Sequence, residues 1–250
     1  DVDNKLNMTG TTHGSIVEIN GQWYVFYHRL THKSDYSRQA CAEKIYIDGN
    51  GRIEQVEITS CGLNEGPLIA DGSYPAVIAC NLTNGHMPHG SNSIFKEEFP
   101  NVTNKGDDRF IAEIEDGTLI GYKYFSCKGV KTFGIIYRIE TEDNKVVYEG
   151  AIRTDERSLS DDNYVKYNSG ENDSICSPVD KAPYVSVYVD EPDNEDKCVG
   201  RIYLDKDNDC FKLAYGETDI EDGVHAIYLI YHGDVKIQIK DINFNRTEVE

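Results

Sequence analysis

The sequence predicts an all-β protein in two units, a small antiparallel meander near the start and a β-sandwich or jelly roll at the end. Three observations predict it. Asn20-Gly21 sits between two β-forming runs, the strongest short-range signal for a hairpin with a two-residue type I′ turn. β-Branched and aromatic residues dominate the apolar set, with 17 Tyr and 8 Phe against 2 Met in 250 residues, and no long segment has helical period. From Arg109 onward, short strand-like runs recur at regular spacing.

In the first unit, residues 1–12 read as a polar lead-in loop. Ile16, Glu18 and Asn20 then alternate with Val17 and Ile19, while residues 23–27 are apolar or aromatic throughout, as in a strand covered on both faces. Residues 39–47 form a third run that ends at Asp48-Gly49-Asn50-Gly51, and residues 53–59 a fourth. Four short strands joined by tight turns have the size of one propeller blade, and a lone blade, with exposed faces and edges, expects neighbours. Residues 61–109 are rich in turns, with one expected strand at 76–80. A polar linker at 101–107 divides the chain into 1–100 and 108–250. In the second unit, strands are expected at 110–114, 119–125, 132–138, 145–152, 184–189, 200–204, 225–231 and 235–244.

A formal net charge of −19 argues against a nucleic-acid backbone or an anionic membrane as partner and suits a neutral ligand such as a sugar. No run approaches the length of a transmembrane helix. The seven cysteines (41, 61, 80, 127, 176, 198, 210) lack Cys-x-x-Cys spacing. Their odd number leaves at least one free thiol, and small buried thiols are the expectation for most. Asn-x-Ser/Thr sequons begin at Asn7, Asn81, Asn101, Asn172 and Asn245 and matter only in a glycosylating, secreting host.

Four motifs in order carry a resemblance. His13-Gly14-Ser15-Ile16-Val17, Trp23-Tyr24-Val25-Phe26-Tyr27-His28-Arg29, Ser37-Arg38-Gln39-Ala40-Cys41-Ala42-Glu43 and Val56-Glu57-Ile58-Thr59-Ser60-Cys61-Gly62-Leu63-Asn64 resemble the last blade of glycoside hydrolase family 43. That family has a five-bladed β-propeller and cleaves arabinose- or xylose-containing plant polysaccharides. The resemblance implies that His13 lies near the propeller axis and supports a central ion or water cluster. Read from the residues alone, His13 instead caps a strand start. The resemblance likewise implies that Arg38 reaches the sugar, where a guanidinium can donate to vicinal hydroxyls; the alternative is a salt bridge to a neighbouring carboxylate. His28 and His32 bracket Arg29 at a strand end and its loop, where their four-residue offset need not converge on a metal, so they read as surface histidines.

Inverting glycoside hydrolysis needs a general acid and a general base, and the family places both upstream of the His-Gly-Ser motif. None of Glu18, Asp35, Glu43, Asp48, Glu54 and Glu57 is marked out as a catalytic pair. No catalytic residue is therefore assigned within the chain. The expectation is the C-terminal part of an enzyme whose acid and base lie upstream of residue 1, secreted or extracytoplasmic in location.

The run Asp116-Gly117-Thr118-Leu119-Ile120-Gly121-Tyr122-Lys123-Tyr124-Phe125, with Gly223-Val224-His225-Ala226-Ile227-Tyr228-Leu229-Ile230-Tyr231 and Asp241-Ile242-Asn243-Phe244, resembles carbohydrate-binding module family 6. This implies sugar binding by aromatic stacking and a structural calcium. Glu113 or Glu115 with Asp241 are the implied hard oxygen ligands; the alternative is ordinary surface acids. No cofactor is expected for catalysis. Tyr122, Tyr164, Tyr167 and Tyr184 are stacking candidates, each alternatively a core aromatic, and Asn243 falls where a ligand asparagine of the module can lie. The expected partner is an arabinoxylan- or arabinan-type polysaccharide or oligosaccharide, with neither nucleic acid nor membrane. The competing reading is a non-catalytic sugar-binding protein that works through its sandwich.

Overall fold

In the computed structural model, residues 13–85, 99–148 and 182–246 are described. The chain is all-β, as expected. Strands β1 (Ser15–Ile19), β2 (Gln22–Thr31) and β3 (Ser34–Ile45) form one antiparallel sheet in that order. Asn20 and Gly21 close the first hairpin with φ of 51° and 81°, the positive values that a type I′ turn requires at both central residues. The expected fourth strand does not form. Beyond an isolated Ile47–Ile53 bridge, residues 53–59 form no strand, and their polar side chains reach both the sandwich and back to β3. Glu57 bonds Lys123 Nζ at 3.0 Å and the Tyr124 hydroxyl at 2.9 Å, and Thr59 donates to Glu43.

Two further sheets face each other as a sandwich. One runs β13 (Lys212–Glu217), β10 (Val130–Ile139), β15 (Ile237–Arg246), β8 (Asp108–Ile114), β7 (Asn101–Lys105), with β5 (Gly72–Pro75) also paired to β15. The other runs β12 (Cys198–Tyr203), β11 (Tyr184–Val189), β14 (Gly223–His232), β9 (Leu119–Cys127), β4 (Leu68–Ile69), with β6 (Asn81–Thr83) on β9. Alternation sends Val185 and Val187 of β11 inward to meet Phe133, Ile135 and Phe244 from the opposite sheet. Phe244 is the hub, with ring centroids 4.7 Å from Phe125 and 4.9 Å, edge-on, from Phe133. Each such fully buried side chain contributes roughly 1.5–3 kcal/mol.

Seven of the eight strands expected here lie on β8, β9, β10, β11, β12, β14 and β15. The eighth does not appear: residues 145–148 form no strand, and 149–152 lie outside the described residues. The linker expected at 101–107 is instead β7, hairpinned to β8. Residues 76–80 hold a single helical turn, Ala76–Ile78, rather than a strand. The boundary fails for a physical reason. Leu68, Ala70, Ala76, Val77, Ala79 and Leu82 are buried in the sandwich core, so the segment leaving the blade completes the second unit. Asn81 and Asn101, both at sequon starts, are wholly buried. Cys80 and Cys127 are buried thiols, but Cys41, Cys61 and Cys198 are only half-buried and Cys210 is exposed.

Candidate functional site

The blade has two chemically different faces, because successive β2 and β3 side chains point opposite ways. On one face Arg38, exposed on β3, donates from Nε to His28 Nε2 at 3.1 Å. The His28 ring in turn stacks on His13, with centroids 6.0 Å apart and planes 20° from parallel. The structure thus brings His13 and Arg38 together, with His28 as the link. The sequence reads His28 as a surface histidine; strand pairing sets it beside Arg38, two residues short of that residue's register partner Leu30.

The opposite face is a joint. Arg29 donates from its two Nη atoms to the Ala79 and Val77 carbonyls, both at 2.5 Å, and from Nε to Gln39 Oε1 at 2.8 Å. Gln39 Nε2 adds a bond to the Val77 carbonyl at 3.0 Å. Burial pulls the Arg29 guanidinium below its ordinary pKa, and three acceptors offset that cost. Glu43, only 4% exposed, accepts from the Tyr27 hydroxyl at 3.0 Å and from Thr59 N and Oγ1 at 2.8 and 2.6 Å. Burial raises its pKa, and the Thr59 and Tyr27 bonds oppose the rise. A carboxylate engaged in this way is a structural acceptor rather than a free base.

The remaining blade carboxylates are no better placed. Asp48 closes a turn by accepting from the backbone N–H of Asn50 and Arg52, bonds that hold its pKa low. Glu57 is bound to Lys123 and Tyr124, and Glu18 and Glu54 lie exposed. Among the described residues, no two of these form a catalytic pair.

Between Arg29 and Arg38, the hairpin tip reaches the sandwich. His32 N–H donates to the Val102 carbonyl at 2.9 Å, and its ring bonds Asn104, Thr31 and Ser37. Lys33 is 3% exposed; its Nζ lies 3.5 Å from Glu113 and 5.0 Å from the Tyr148 ring centroid. Glu113 also accepts from Lys236 at 2.5 Å.

That arrangement corrects the implied calcium site. Glu113 is neutralised by two lysines, Glu115 accepts from Asn84 at 3.1 Å, and Asp241 lies opposite Ile136 and Pro75. On β15, residue 237 pairs with Ile114, which puts Asp241 four residues along the strand from the Glu113 end. The three carboxylates do not converge, and the residues present do not fit the ion. No group of three His, Cys, Asp or Glu side chains that could hold a metal occurs among the described residues.

Of the stacking candidates, Tyr122 is fully buried in the core, and burial raises its phenol pKa; it cannot meet a sugar. Tyr164 and Tyr167 lie outside the described residues. Tyr184 stacks on His232 at 4.5 Å, with the Arg201 guanidinium 5.5 Å from its ring. Asn243 is half-buried on the outer face of its sheet, directly opposite Gly134, and Gly134 is opposite Tyr215 on the next strand. Tyr215 is 66% exposed and was not anticipated. The row Asn243, Gly134, Tyr215 joins a hydrogen-bonding amide to an open aromatic face, the pairing that suits a sugar ring.

No known protein-family profile matches the chain. Over 137 residues, 52% of the chain, it is 47% identical to a xylosidase/arabinosidase of Thermoclostridium stercorarium. The chain spans 29% of that relative's length. In fold, 95% of the chain aligns with 41% of a glycoside hydrolase family 43 arabinoxylan arabinofuranohydrolase from Bacillus subtilis, at a TM-score of 0.50 and 12% identity. A family 6 carbohydrate-binding module from Clostridium cellulolyticum, solved with xylose, aligns over 71% of the chain and 99% of its own length at a TM-score of 0.44 and 11% identity.

Proposed function

From its homology to a xylosidase/arabinosidase and a fold shared with a family 43 enzyme, we propose that this chain forms one blade and the C-terminal sandwich of an inverting glycosidase. The substrates are arabinose- or xylose-containing plant polysaccharides of the arabinoxylan or arabinan type, met outside the cytoplasm. The observation that carries the reading is the 47% identity over 137 residues.

In this reading the general acid and base come from outside residues 1–250. Inversion places a carboxylic acid on the leaving oxygen and a carboxylate behind the attacking water. The chain contributes a sugar-facing surface: Arg38, oriented by His28 and His13, offers guanidinium donors to vicinal hydroxyls. The back of the blade, through Arg29 and Gln39, fixes that surface on the Val77 and Ala79 carbonyls of the sandwich core segment. A second reading, a non-catalytic sugar binder, draws on the row Asn243, Gly134, Tyr215.

The test is hydrolysis of aryl α-L-arabinofuranoside and aryl β-xyloside by the 250-residue chain and by the full-length product of its gene. Turnover by the longer protein alone supports the proposal. Turnover by these 250 residues that is lost on Glu43→Gln overturns the placement of the acid and base. Silence from both, with retention on arabinoxylan that Tyr215→Ala abolishes, favours the binder.

A further inference from the structure

The β2–β3 hairpin departs from ordinary strand geometry at three points in succession. His32 and Lys33 form its two-residue turn with φ of 58° and 46°, a left-handed conformation that glycine and asparagine adopt far more readily. Such residues persist where their surroundings over-determine them, and they cluster at binding sites. Next, the register jumps: Thr31 pairs with Ser34 but Leu30 pairs with Arg38, so residues 35–37 bulge out of the ladder, tied to β2 through the Ser37 and Thr31 hydroxyls at 2.8 Å. Bulges of this kind re-aim side chains. Finally, Tyr36 on the bulge is 90% exposed, although Lys33, three residues earlier, is 3% exposed.

We infer that this bulge is a sugar-contacting element, that the Tyr36 ring is its stacking surface, and that the sandwich holds it in position through His32 and Lys33. The inference rests on the glycosidase reading, which makes a neutral pentose chain the ligand. The holding contacts are specific. His32 ties the turn to Val102 and Asn104 on β7, and its Nδ1 bonds Ser37 Oγ at 2.9 Å inside the bulge itself. Lys33 enters the ion cluster with Glu113 and Lys236. Burying a lysine beside a carboxylate adds little net stability, so its service here is to geometry. Tyr36 N–H donates to Ser34 Oγ at 3.1 Å, which steadies the backbone beneath the ring. An aromatic side chain on a fixed backbone loses little freedom when a sugar face covers it. Arg38 follows two residues later, so stacking and hydrogen bonding come from one short segment.

The experiment uses the full-length protein with Tyr36→Ala, Tyr36→Phe, Lys33→Met and Lys33→Arg, assayed on arabinoxylan and on aryl arabinofuranoside. For Tyr36→Ala, KM on arabinoxylan is expected to rise about three- to tenfold at unchanged kcat, while Tyr36→Phe keeps the wild-type KM. Lys33→Met is expected to reproduce that rise, and Lys33→Arg to reverse most of it. An unchanged KM in Tyr36→Ala, in an active enzyme, overturns the inference and leaves the glycosidase reading standing. A Lys33→Met protein that melts earlier at unchanged KM overturns the positioning role. A wild-type protein inactive on both substrates removes the glycosidase reading and the inference with it.

Discussion

Gly216 packs against the backbone of Arg201 so closely that a Cβ at 216 would stand 3.0 Å from the Arg201 carbonyl carbon and closer still to its oxygen. Here the β13 edge of one sheet meets the β12 edge of the other, and Gly200 approaches the Glu217 carbonyl in the same way. Gly216→Ala is therefore expected to force the edges apart and to cost about 1–3 kcal/mol. Urea denaturation should show a lower midpoint; an unchanged midpoint would mean that the sheets do not close at this edge.

Glu43 gives a pH signature. Its folded pKa is raised, so its stabilising contribution is present below the unfolded carboxyl value of about 4.3 and is lost as pH rises through the folded value. Glu43→Gln, which keeps the shape without the charge, should flatten that part of the curve of Tm against pH. Superimposable curves for the two proteins would refute the assignment.

Arg29 supports a mutational prediction of the opposite kind. Arg29→Met leaves the Ala79 carbonyl without its side-chain donor and the Val77 carbonyl with Gln39 alone, at a cost of about 1–3 kcal/mol. Arg29→Lys recovers only part of this, because an ammonium cannot reproduce the planar fork. Hydrogen exchange should accelerate at the Ala79 amide, which closes the adjoining turn onto the Ala76 carbonyl. Equal protection in the mutant would show that the joint is held elsewhere.

His232 supplies the acid side. Burial against Tyr184 lowers its pKa, with Asp116 opposing. Stability from the neutral ring is present above the unfolded value of about 6.5 and is lost as pH falls through the lower folded value. His232→Phe should remove the loss that sets in as pH falls below about 6.5, measured by thermal melts across the acid range. A loss of the same size in the variant would assign it to another group.

Local chemistry was the legible part. Asn20-Gly21 announced its turn, and seven sandwich strands stood out as short β-forming runs at regular spacing. What escaped depended on partners distant in sequence or on parity. Arg29 binds carbonyls 48 and 50 positions away, and nothing near it in the chain foretells them. Tyr122 and Tyr124 lie on one strand, yet Tyr122 is wholly buried while the Tyr124 hydroxyl reaches Glu57; the β9–β14 register shift between Tyr122 and Phe125 leaves no mark in the local sequence. Strand β13 was missed because Ala214 and Gly216, the latter a glycine where a Cβ would meet the Arg201 backbone, dilute its pattern. The acids at 113, 115 and 241 matched a ligand set by type alone, and the lysines at 33 and 236 could be placed beside Glu113 only in three dimensions.

The strands that leave the blade also bear on how such a protein can be inherited. A sandwich that folds by itself can be copied between genes as a unit and joined to any catalytic partner. This one takes β4, β5, β6 and β7 from residues before 108, and Leu68, Ala76, Val77 and Leu82 are part of its core. A gene fusion that borrowed only residues 108–250 would receive two sheets stripped of those edge strands and a core open to water. A transferable sandwich would therefore have to begin before β4, at residue 68 or earlier, rather than at 108.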